Sequence, residues 1–137
     1  PEHEKRSLYG YVEQTFHRVP GTVKDQITLY DDSFTMEEVR EAARVAGLDT
    51  TIEQLGKGYD TLCTSEIFSQ GQWQLLSIAR AAVAKPKLLL LDEITANLDA
   101  QTEEEVLQAL KRASEGRTVI SISHRMNAET GRVIPIG

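Results

Sequence analysis

An unbroken run of leucines that ends in two acids, Leu88 to Glu93, constrains the fold of this chain more than any other stretch. Polar and apolar positions do not alternate along it, a pattern typical of a strand buried on both faces of a parallel sheet. In open α/β sheets the carboxyl ends of the strands face the ligand crevice. We therefore expect Asp92 and Glu93 to lie at a ligand-binding edge, although a core strand followed by a solvated acidic turn also fits this stretch.

Composition narrows the class of protein. The chain has 137 residues, enough for one domain with a buried core. The net charge of −6 argues against a nucleic-acid groove, so no nucleic acid is expected as a partner. The single cysteine cannot form an internal disulfide, which predicts a reduced setting. No stretch approaches the roughly 20 apolar residues of a membrane span. The start does not resemble a signal peptide. We expect the chain itself to be soluble and not to cross a membrane.

The first half of the chain is predicted to hold one short strand followed by helices. Residues 7–12 fit a strand, and a loop and a polar stretch follow it. Thr35 and Glu38 have the spacing of a capping box at the start of a helix. Thr50 and Glu53 repeat this spacing for a shorter helix, and glycines end both. The buried stripe of the longer helix is predicted to comprise Met36, Val39, Ala42, Ala43 and Ala46.

The sequence Ser69-Gln70-Gly71-Gln72 predicts the start of a further helix. Ser69 can cap this helix and Gln72 occupies its third position, so the capping-box spacing recurs. The unpaired N–H groups and the positive dipole end of a helix start suit phosphate. Gly71 has no side chain, so an anion could approach its backbone closely. A merely well-capped helix is the alternative. The buried stripe is predicted to comprise Trp73, Leu76, Ala79 and Val83.

The residues after Glu93 predict a loop, a helix and two strands. The helix is expected over about 100–114, and its core-facing residues are predicted to be Val106, Leu107, Leu110 and Ala113. Residues 118–123 form a β-rich run that ends at His124, and 133–136 fit a last strand. Strand, helix and strand in this order predict a right-handed parallel crossover. Polar groups from four elements could therefore converge at one site. They are Gln14, the acids after the leucines, His124 and the helix start at Ser69.

Taken together and in this order, these motifs resemble the ATP-binding domain of ABC transporters. Residues 68–72 look like that family's signature sequence, which often reads Leu-Ser-Gly-Gly-Gln, and 88–93 resemble the Walker B strand with its catalytic glutamate. Residues 96–99 resemble the D-loop. His124 resembles the switch histidine and Gln14 the Q-loop glutamine. The spacing and the residues of these motifs are most similar to those of exporter-type subunits.

The resemblance implies an α/β fold, a partial P-loop NTPase (RecA-like) parallel core with a helical subdomain inserted. Residues 1–137 would form a partial ABC ATPase domain. Its parts would be the Q-loop strand in 1–15, the helical subdomain with the signature helix in 16–86, and the Walker B, D-loop and switch-histidine part of the core in 87–137. ATP and Mg²⁺ would be bound. The partners would be a second ABC ATPase domain in a head-to-tail dimer and a transmembrane domain, at the cytoplasmic face of the cell membrane.

The resemblance also implies a role for each motif residue. Asp92 would hold Mg²⁺ through water, because magnesium keeps much of its hydration shell. Glu93 would polarise the attacking water. His124 would contact the γ-phosphate and that water, and Gln14 would touch metal or water and report occupancy to the membrane domain. Asp99 would link the two sites across the dimer. The signature residues that would meet the γ-phosphate held by the opposite subunit are Ser69, Gln70, Gly71 and Gln72.

The chain contains no phosphate cradle of the form G-x-x-x-x-G-K-[ST], since neither Gly-Lys-Ser nor Gly-Lys-Thr occurs in it. It therefore resembles the carboxyl-terminal part of an ATPase domain that couples ATP hydrolysis to export in a complete protein, and the chain alone is expected to be inactive. One alternative is an ABC-type ATPase of DNA repair, but the long heptad-patterned coiled coils of such proteins are absent between Gln14 and Ser69. The other is a non-enzymatic remnant that acts as an interaction module.

The absent cradle also leads to a prediction about the sheet. In the fold that this chain resembles, the cradle strand lies between the strands at 118–123 and 133–136. Without it a gap of about 10 Å would separate them, since paired strands lie ~4.8 Å apart. Such a gap leaves unpaired N–H and C=O groups. We predict that the last strand pairs directly with 118–123, antiparallel because the connection at 126–131 is short. Pairing of the open edge with another copy of the chain is the alternative.

Overall fold

The computed structural model describes residues 6–13, 15–92, 98–122 and 133–135, with backbone alone at 122 and 133–135. The strands are β1 (Tyr9–Val12), β2 (Leu88–Asp92), β3 (Thr118–Ile122) and β4 (Val133–Pro135). The helices are α1 (Val23–Thr28), α2 (Met36–Ala46), α3 (Asp49–Glu53), α4 (Gln70–Ala82) and α5 (Ala100–Ser114), with a 3₁₀ turn at Gly58–Asp60. Strand β1 starts later than predicted because residues 6–8 are helical.

The four strands form one sheet in the order β1-β2-β3-β4. Strand β2 pairs parallel with β1 on one side and with β3 on the other, so Leu90 lies between Tyr11 and Ile120. Helix α5 connects β2 to β3, and these strands pair parallel, as the strand–helix–strand order predicts. The predicted α/β class is confirmed.

The last strand pairs antiparallel with β3, with Val133 opposite Ile122 and Pro135 opposite Ile120. The prediction of direct antiparallel pairing is therefore confirmed. The connection at 126–131 lies outside the described residues. A proline suits an edge strand, because it has no N–H group to donate to a further neighbour.

The leucine run is fully buried on one face of the sheet and not on both. Leu89 and Leu91 are buried, whereas Leu88 and Leu90 are half-buried. Tyr11 lies on the same face as Leu90 and is 44% exposed. The expectation of burial on both faces is wrong, because α4 and α5 contribute their apolar residues to the core on one face. The described residues cover the other face only in part.

Close packing of β1 against α4 depends on Gly10. A Cβ atom at this position would lie 2.8 Å from the carbonyl oxygen of Ala81 and 3.1 Å from Cγ of Pro86. Any larger residue would push the strand away from the helix. The carboxyl end of β1 is thereby held close to α4.

The helical part confirms one predicted capping box and corrects the other. Thr35 caps α2, whose buried residues include Val39 and Ala43, although Met36 is 36% exposed. The box at Thr50 does not form, since α3 starts after the buried residue Leu48 and has no side-chain cap. Thr50 already lies inside that helix, which is held by burial of Leu48 and its neighbours.

Helix α1 is an element that sequence reasoning missed. Its capping box uses aspartate where glutamate is usual: Thr22 Oγ1 accepts from the Asp25 N–H at 3.2 Å, and Asp25 Oδ2 accepts from the Thr22 N–H at 2.9 Å. The helix is too short to establish a period in the sequence. The sequence pattern therefore predicts a loop in this region.

The predicted stripes of α4 and α5 are partly correct. Leu76, Ala79 and Val83 of the first stripe are buried and Trp73 is half-buried, but α4 also buries residues such as Ile78 on its other sides. In α5 the buried residues are Val106, Ala109, Leu110 and Ala113, and Leu107 is 46% exposed. Among the described residues, no helix is long and apolar enough to cross a membrane.

Candidate functional site

The carboxyl ends of β1, β2 and β3 lie at one edge of the sheet, because the three strands are parallel neighbours. Asp92 is the last residue of β2, and its Oδ2 accepts a hydrogen bond from the Tyr11 hydroxyl at 2.7 Å. This bond is the main cause that raises the pKa of Tyr11 to about 12. The predicted catalytic residues Gln14, Glu93 and His124 follow the three strands in sequence but lie outside the described residues.

The donors that the structure describes at this edge include one carboxylate, that of Asp92. Within the described ranges, no group of three or more histidine, cysteine or acidic side chains gathers around a common point. Magnesium is usually held by one or two carboxylates together with waters and substrate phosphates. The carboxylate of Asp92 therefore fits a nucleotide-bound Mg²⁺.

The start of α4 forms the predicted capping box. The Gln72 N–H donates to Ser69 Oγ at 3.2 Å, and the Ser69 N–H donates to Oε1 of Gln72 at 2.9 Å. Both contacts leave the serine O–H and the glutamine NH₂ group able to donate elsewhere. Ser69 and Gln70 are exposed. The helix start thus carries donors of the kind that an anion requires.

Gly71 is buried, and its missing side chain serves the packing of two helices. A Cβ atom there would overlap the Cγ2 methyl group of Thr102 on α5. The missing side chain therefore allows the starts of α4 and α5 to pack together. The approach of an anion to the backbone of this glycine stays a prediction.

Asp99 caps α5 at the same place. Its Oδ1 accepts from the Thr102 N–H at 2.7 Å, and this backbone hydrogen bond holds the pKa of Asp99 below its ordinary value. Because Thr102 also contacts Gly71, it connects the predicted D-loop residue to the predicted signature sequence. The two helix starts, with Ser69 and Asp99, form one packed unit.

A cleft of about 320 Å³ opens between the residues after position 14 and the start of α4. Its lining includes Phe16, Trp73 and Gln70. Sequence reasoning predicted Trp73 as a core residue and did not single out Phe16. Phe16 and Trp73 stack on each other, so the cleft lies beside a contact between the chain after β1 and α4.

Arg80 of α4 is a further residue that sequence reasoning missed. Burial lowers its pKa to about 10, so the guanidinium remains charged at neutral pH. The signal that could have revealed it is an arginine within residues 75–82, which are apolar apart from Ser77 and Arg80 itself. Charged side chains are seldom buried unless they are paired.

Comparison with known proteins gives a consistent result. Residues 2–96 match the family model described as ABC transporter. The chain is 44% identical over 124 residues to the uncharacterized ABC transporter ATP-binding protein YfiC of Bacillus subtilis, covering 89% of this chain and 20% of that protein. It is 42% identical over 138 residues to ABC transporter B family member 1 of Dictyostelium discoideum, covering 96% and 15%. It is 48% identical over 127 residues to the ABC multidrug transporter MDR2 of Trichophyton tonsurans, covering 89% and 9%.

The matches cover nearly all of this chain but only a small part of each relative. The chain spans 20%, 15% and 9% of the length of these three proteins. These matches therefore show the family of the chain and not the activity of a whole transporter.

Proposed function

The chain belongs to the ABC transporter family, and we propose that it is the carboxyl-terminal part of an ATP-binding domain that couples ATP hydrolysis to substrate export. The division into a Q-loop strand (1–15), a helical subdomain (16–86) and a core part (87–137) belongs to this proposal. Similarity to a relative that is a multidrug transporter supports a role in transport.

The observation that carries the proposal is the position of Asp92. It ends the middle strand of three parallel neighbours, with its carboxylate at the edge where the strands that precede Gln14 and His124 also end. Ligands of open α/β sheets bind outside this edge. One carboxylate, together with waters and phosphate oxygens, is also the arrangement expected for a magnesium-bound nucleotide.

The reaction proposed for this edge is attack of water on the γ-phosphorus of ATP, with cleavage of the bond to the β,γ-bridging oxygen and release of ADP and inorganic phosphate. Mg²⁺ held near Asp92 would neutralise charge on the phosphate oxygens when it is bound. Glu93, directly after Asp92 in the chain, would accept a proton from the attacking water. His124 would contact the γ-phosphate and Gln14 the metal or the water. Catalysis of this kind rests mostly on positioning and charge stabilisation.

A second ATP-binding domain would complete the site. The exposed start of α4, with Ser69 and Gln72 as donors, would contact the γ-phosphate that the partner domain holds, with Gln70 and Gly71 in the same turn. A helix start favours an anion through its free N–H groups and its dipole. Asp99, whose helix packs on Gly71 through Thr102, would link the two sites. A transmembrane domain, at the cytoplasmic face of the membrane, would be the other partner.

Replacement of Glu93 by Gln in the complete protein tests the proposal. The amide keeps the shape of the carboxylate but cannot accept the proton, so phosphate release should fall by roughly 10²- to 10⁴-fold. Binding of a fluorescent ATP analogue should stay at the wild-type affinity. Wild-type hydrolysis in the variant would contradict the proposed role of Glu93.

Glu115→Gln is the matched control. Glu115 is an exposed residue at the end of α5, and the exchange removes one carboxylate in the same way. Phosphate release by this variant should equal that of the unchanged protein. An equal loss in both variants would show that the glutamate exchange acts through general destabilisation.

A further inference from the structure

One face of α4 carries three side chains that all contact the chain around position 14. Trp73, Ser77 and Arg80 are spaced i, i+4 and i+7, so they lie along one face of the helix. None of them is part of the signature sequence. They lie on the same helix as Ser69 and Gln72, and Arg80 is roughly 16 Å from Ser69 along the axis.

Ser77 holds the residue before position 14. The Glu13 N–H donates to Ser77 Oγ at 3.1 Å, and Ser77 is buried. The side chain of Glu13 turns toward the other end of the segment, where His17 Nδ1 lies 3.0 Å from its Oε2. The chain is therefore held to α4 immediately before position 14, and the side chains of Glu13 and His17 meet.

The aromatic ring of Phe16 lies between the other two side chains of this face. It stacks on Trp73 with ring centroids 5.3 Å apart and planes at 27°. The guanidinium carbon of Arg80 lies 4.0 Å from the centroid of the same ring. A cation over an aromatic face is attractive, more so where water is excluded. Phe16 thus occupies a fixed place two residues after position 14.

Arg80 also holds the backbone that follows Phe16. Its Nη1 donates to the His17 carbonyl at 2.9 Å and its Nε to the Gln26 carbonyl at 2.6 Å. The buried Gln26 side chain continues this network, with Nε2 donating to the Val19 carbonyl at 2.7 Å and Oε1 accepting from the Val19 N–H at 2.9 Å. The planar fork of arginine satisfies several acceptors at once, which lysine cannot reproduce.

We propose that Trp73, Ser77 and Arg80 are positioning residues that fix the chain on both sides of Gln14 to the helix that carries the signature sequence. The effect of these contacts on ATP hydrolysis rests on the proposed function, whereas the contacts themselves do not. A shift of α4 would carry Glu13, Phe16 and His17 with it. Contact of a partner's γ-phosphate with the start of α4 is thereby linked to the placement of the residues that border Gln14 in the same chain.

Ser77→Ala in this chain gives a direct test that needs no nucleotide. The exchange removes one acceptor and leaves a good helix former, so the fold should persist. Amide hydrogen exchange at Glu13 should accelerate about tenfold, the scale of one hydrogen bond. Exchange at amides of β2 and α5 should not change. An unchanged rate at Glu13 would overturn the proposal, and equal acceleration at all three places would do the same.

Arg80→Lys tests the other end of the segment. Trp73 is the only tryptophan of the chain, so its fluorescence reports the contact with Phe16. Loss of the guanidinium fork should release the ring, with a red-shifted emission and stronger quenching by acrylamide. Arg112→Lys is the matched control, because Arg112 Nε donates to the Val45 carbonyl at 2.8 Å, away from this segment. The control should leave the emission unchanged, and an unchanged emission in Arg80→Lys would contradict the proposal.

Steady-state hydrolysis by the complete protein separates this inference from the proposed function. Ser77→Ala and Arg80→Lys should lower kcat and leave KM for ATP unchanged, because the affected segment borders a residue that contacts metal or water. Arg112→Lys should change neither value. If Glu93→Gln abolishes hydrolysis while Ser77→Ala and Arg80→Lys keep wild-type kcat, the positioning role is wrong and the proposed function stands. If Glu93→Gln hydrolyses ATP normally, the proposed function fails, whereas the exchange and fluorescence results remain valid for the contacts.

Discussion

Single residues in this chain have packing roles at positions that the sequence predicts to be functional, and Gly71 is the clearest case. From the sequence, its lack of a side chain suggests an open approach for phosphate. In the structure the vacant side of this residue faces Thr102 of α5. Packing of α4 against α5 is therefore enough to explain a glycine at this position. The explanation does not depend on whether a nucleotide binds to its N–H group.

We predict that Gly71→Ala destabilises the chain. Alanine favours a helix over glycine by up to about 1 kcal/mol. The overlap with the Thr102 methyl group is an overpacking defect, which costs about 1–3 kcal/mol. The second effect should exceed the first, so urea denaturation should give a lower free energy of unfolding. Thr102→Ser, which removes the methyl group, should restore stability when combined with Gly71→Ala.

Gly56→Ala provides the control for this experiment. Nothing lies within 4 Å of the Cβ atom that it would add, so its stability should hardly change. If Gly71→Ala and Gly56→Ala gave the same free energy of unfolding, the packing role of Gly71 would be wrong. Gly71→Asp would be a poorer test, since it combines the overlap with a new charge.

At the scale of elements, helix starts organise the candidate site. Ser69 caps α4 and Asp99 caps α5, and the contact of Gly71 with Thr102 joins the two helices at these ends. Each cap satisfies a backbone N–H group that the helix itself leaves unpaired. The residues predicted to face a partner's nucleotide thus lie at helix starts whose caps form without the nucleotide.

The cap at Asp99 should depend on pH. Its carboxylate has a lowered pKa in the folded chain because the Thr102 N–H donates to it, against about 3.9 in an unfolded chain. A lowered folded pKa means that the cap stabilises the chain fully above about pH 4, and that this contribution is lost as the pH falls through the folded pKa. The amide resonance of Thr102 should therefore titrate with a midpoint below that of a free aspartate.

Asp99→Asn supplies the comparison. Asparagine can still cap the helix but does not titrate, so the resonance of Thr102 should lose this transition. A midpoint at or above the ordinary aspartate value in the unchanged chain would contradict the hydrogen bond as the cause. The same result in both variants would assign the transition to another group.

At the scale of the whole molecule, the sheet determines which chemistry the chain can support. Three parallel strands bring Asp92 to an edge, and β4 pairs with β3 in the opposite direction. This pairing satisfies backbone N–H and C=O groups at residues 120–122 of β3, which are costly when left unpaired. The four strands are thereby paired in an unbroken order from β1 to β4.

We predict that this chain by itself binds Mg-ATP only weakly. Its 137 residues contain no G-x-x-x-x-G-K-[ST] cradle, whose lysine and backbone N–H groups would provide most contacts to the phosphates. Titration calorimetry should show no micromolar binding, with the complete ATP-binding domain of a relative as the positive control. Micromolar affinity in this chain would contradict the prediction and indicate phosphate contacts elsewhere.

The sequence by itself determined the family, the parallel order around the leucine run and the start of α4. These features depend on local patterns: an uninterrupted apolar run, a capping box and motifs with fixed spacing. It also led to the antiparallel pairing of β4, because backbone groups must be paired and the connection is short. The roles of Gln14, Glu93 and His124 stay predictions.

Tertiary structure alone decided which faces and neighbours these elements have. A local pattern does not specify where other elements pack. Three features depend on that packing: the half-covered face of β2, the exposure of Leu107 and the missing cap at Thr50. The same holds for the arrangement of Phe16 between Trp73 and Arg80, since these contacts join residues far apart in the chain. Hydrophobic spacing identifies a helix, but only packing in three dimensions determines what each of its sides contacts.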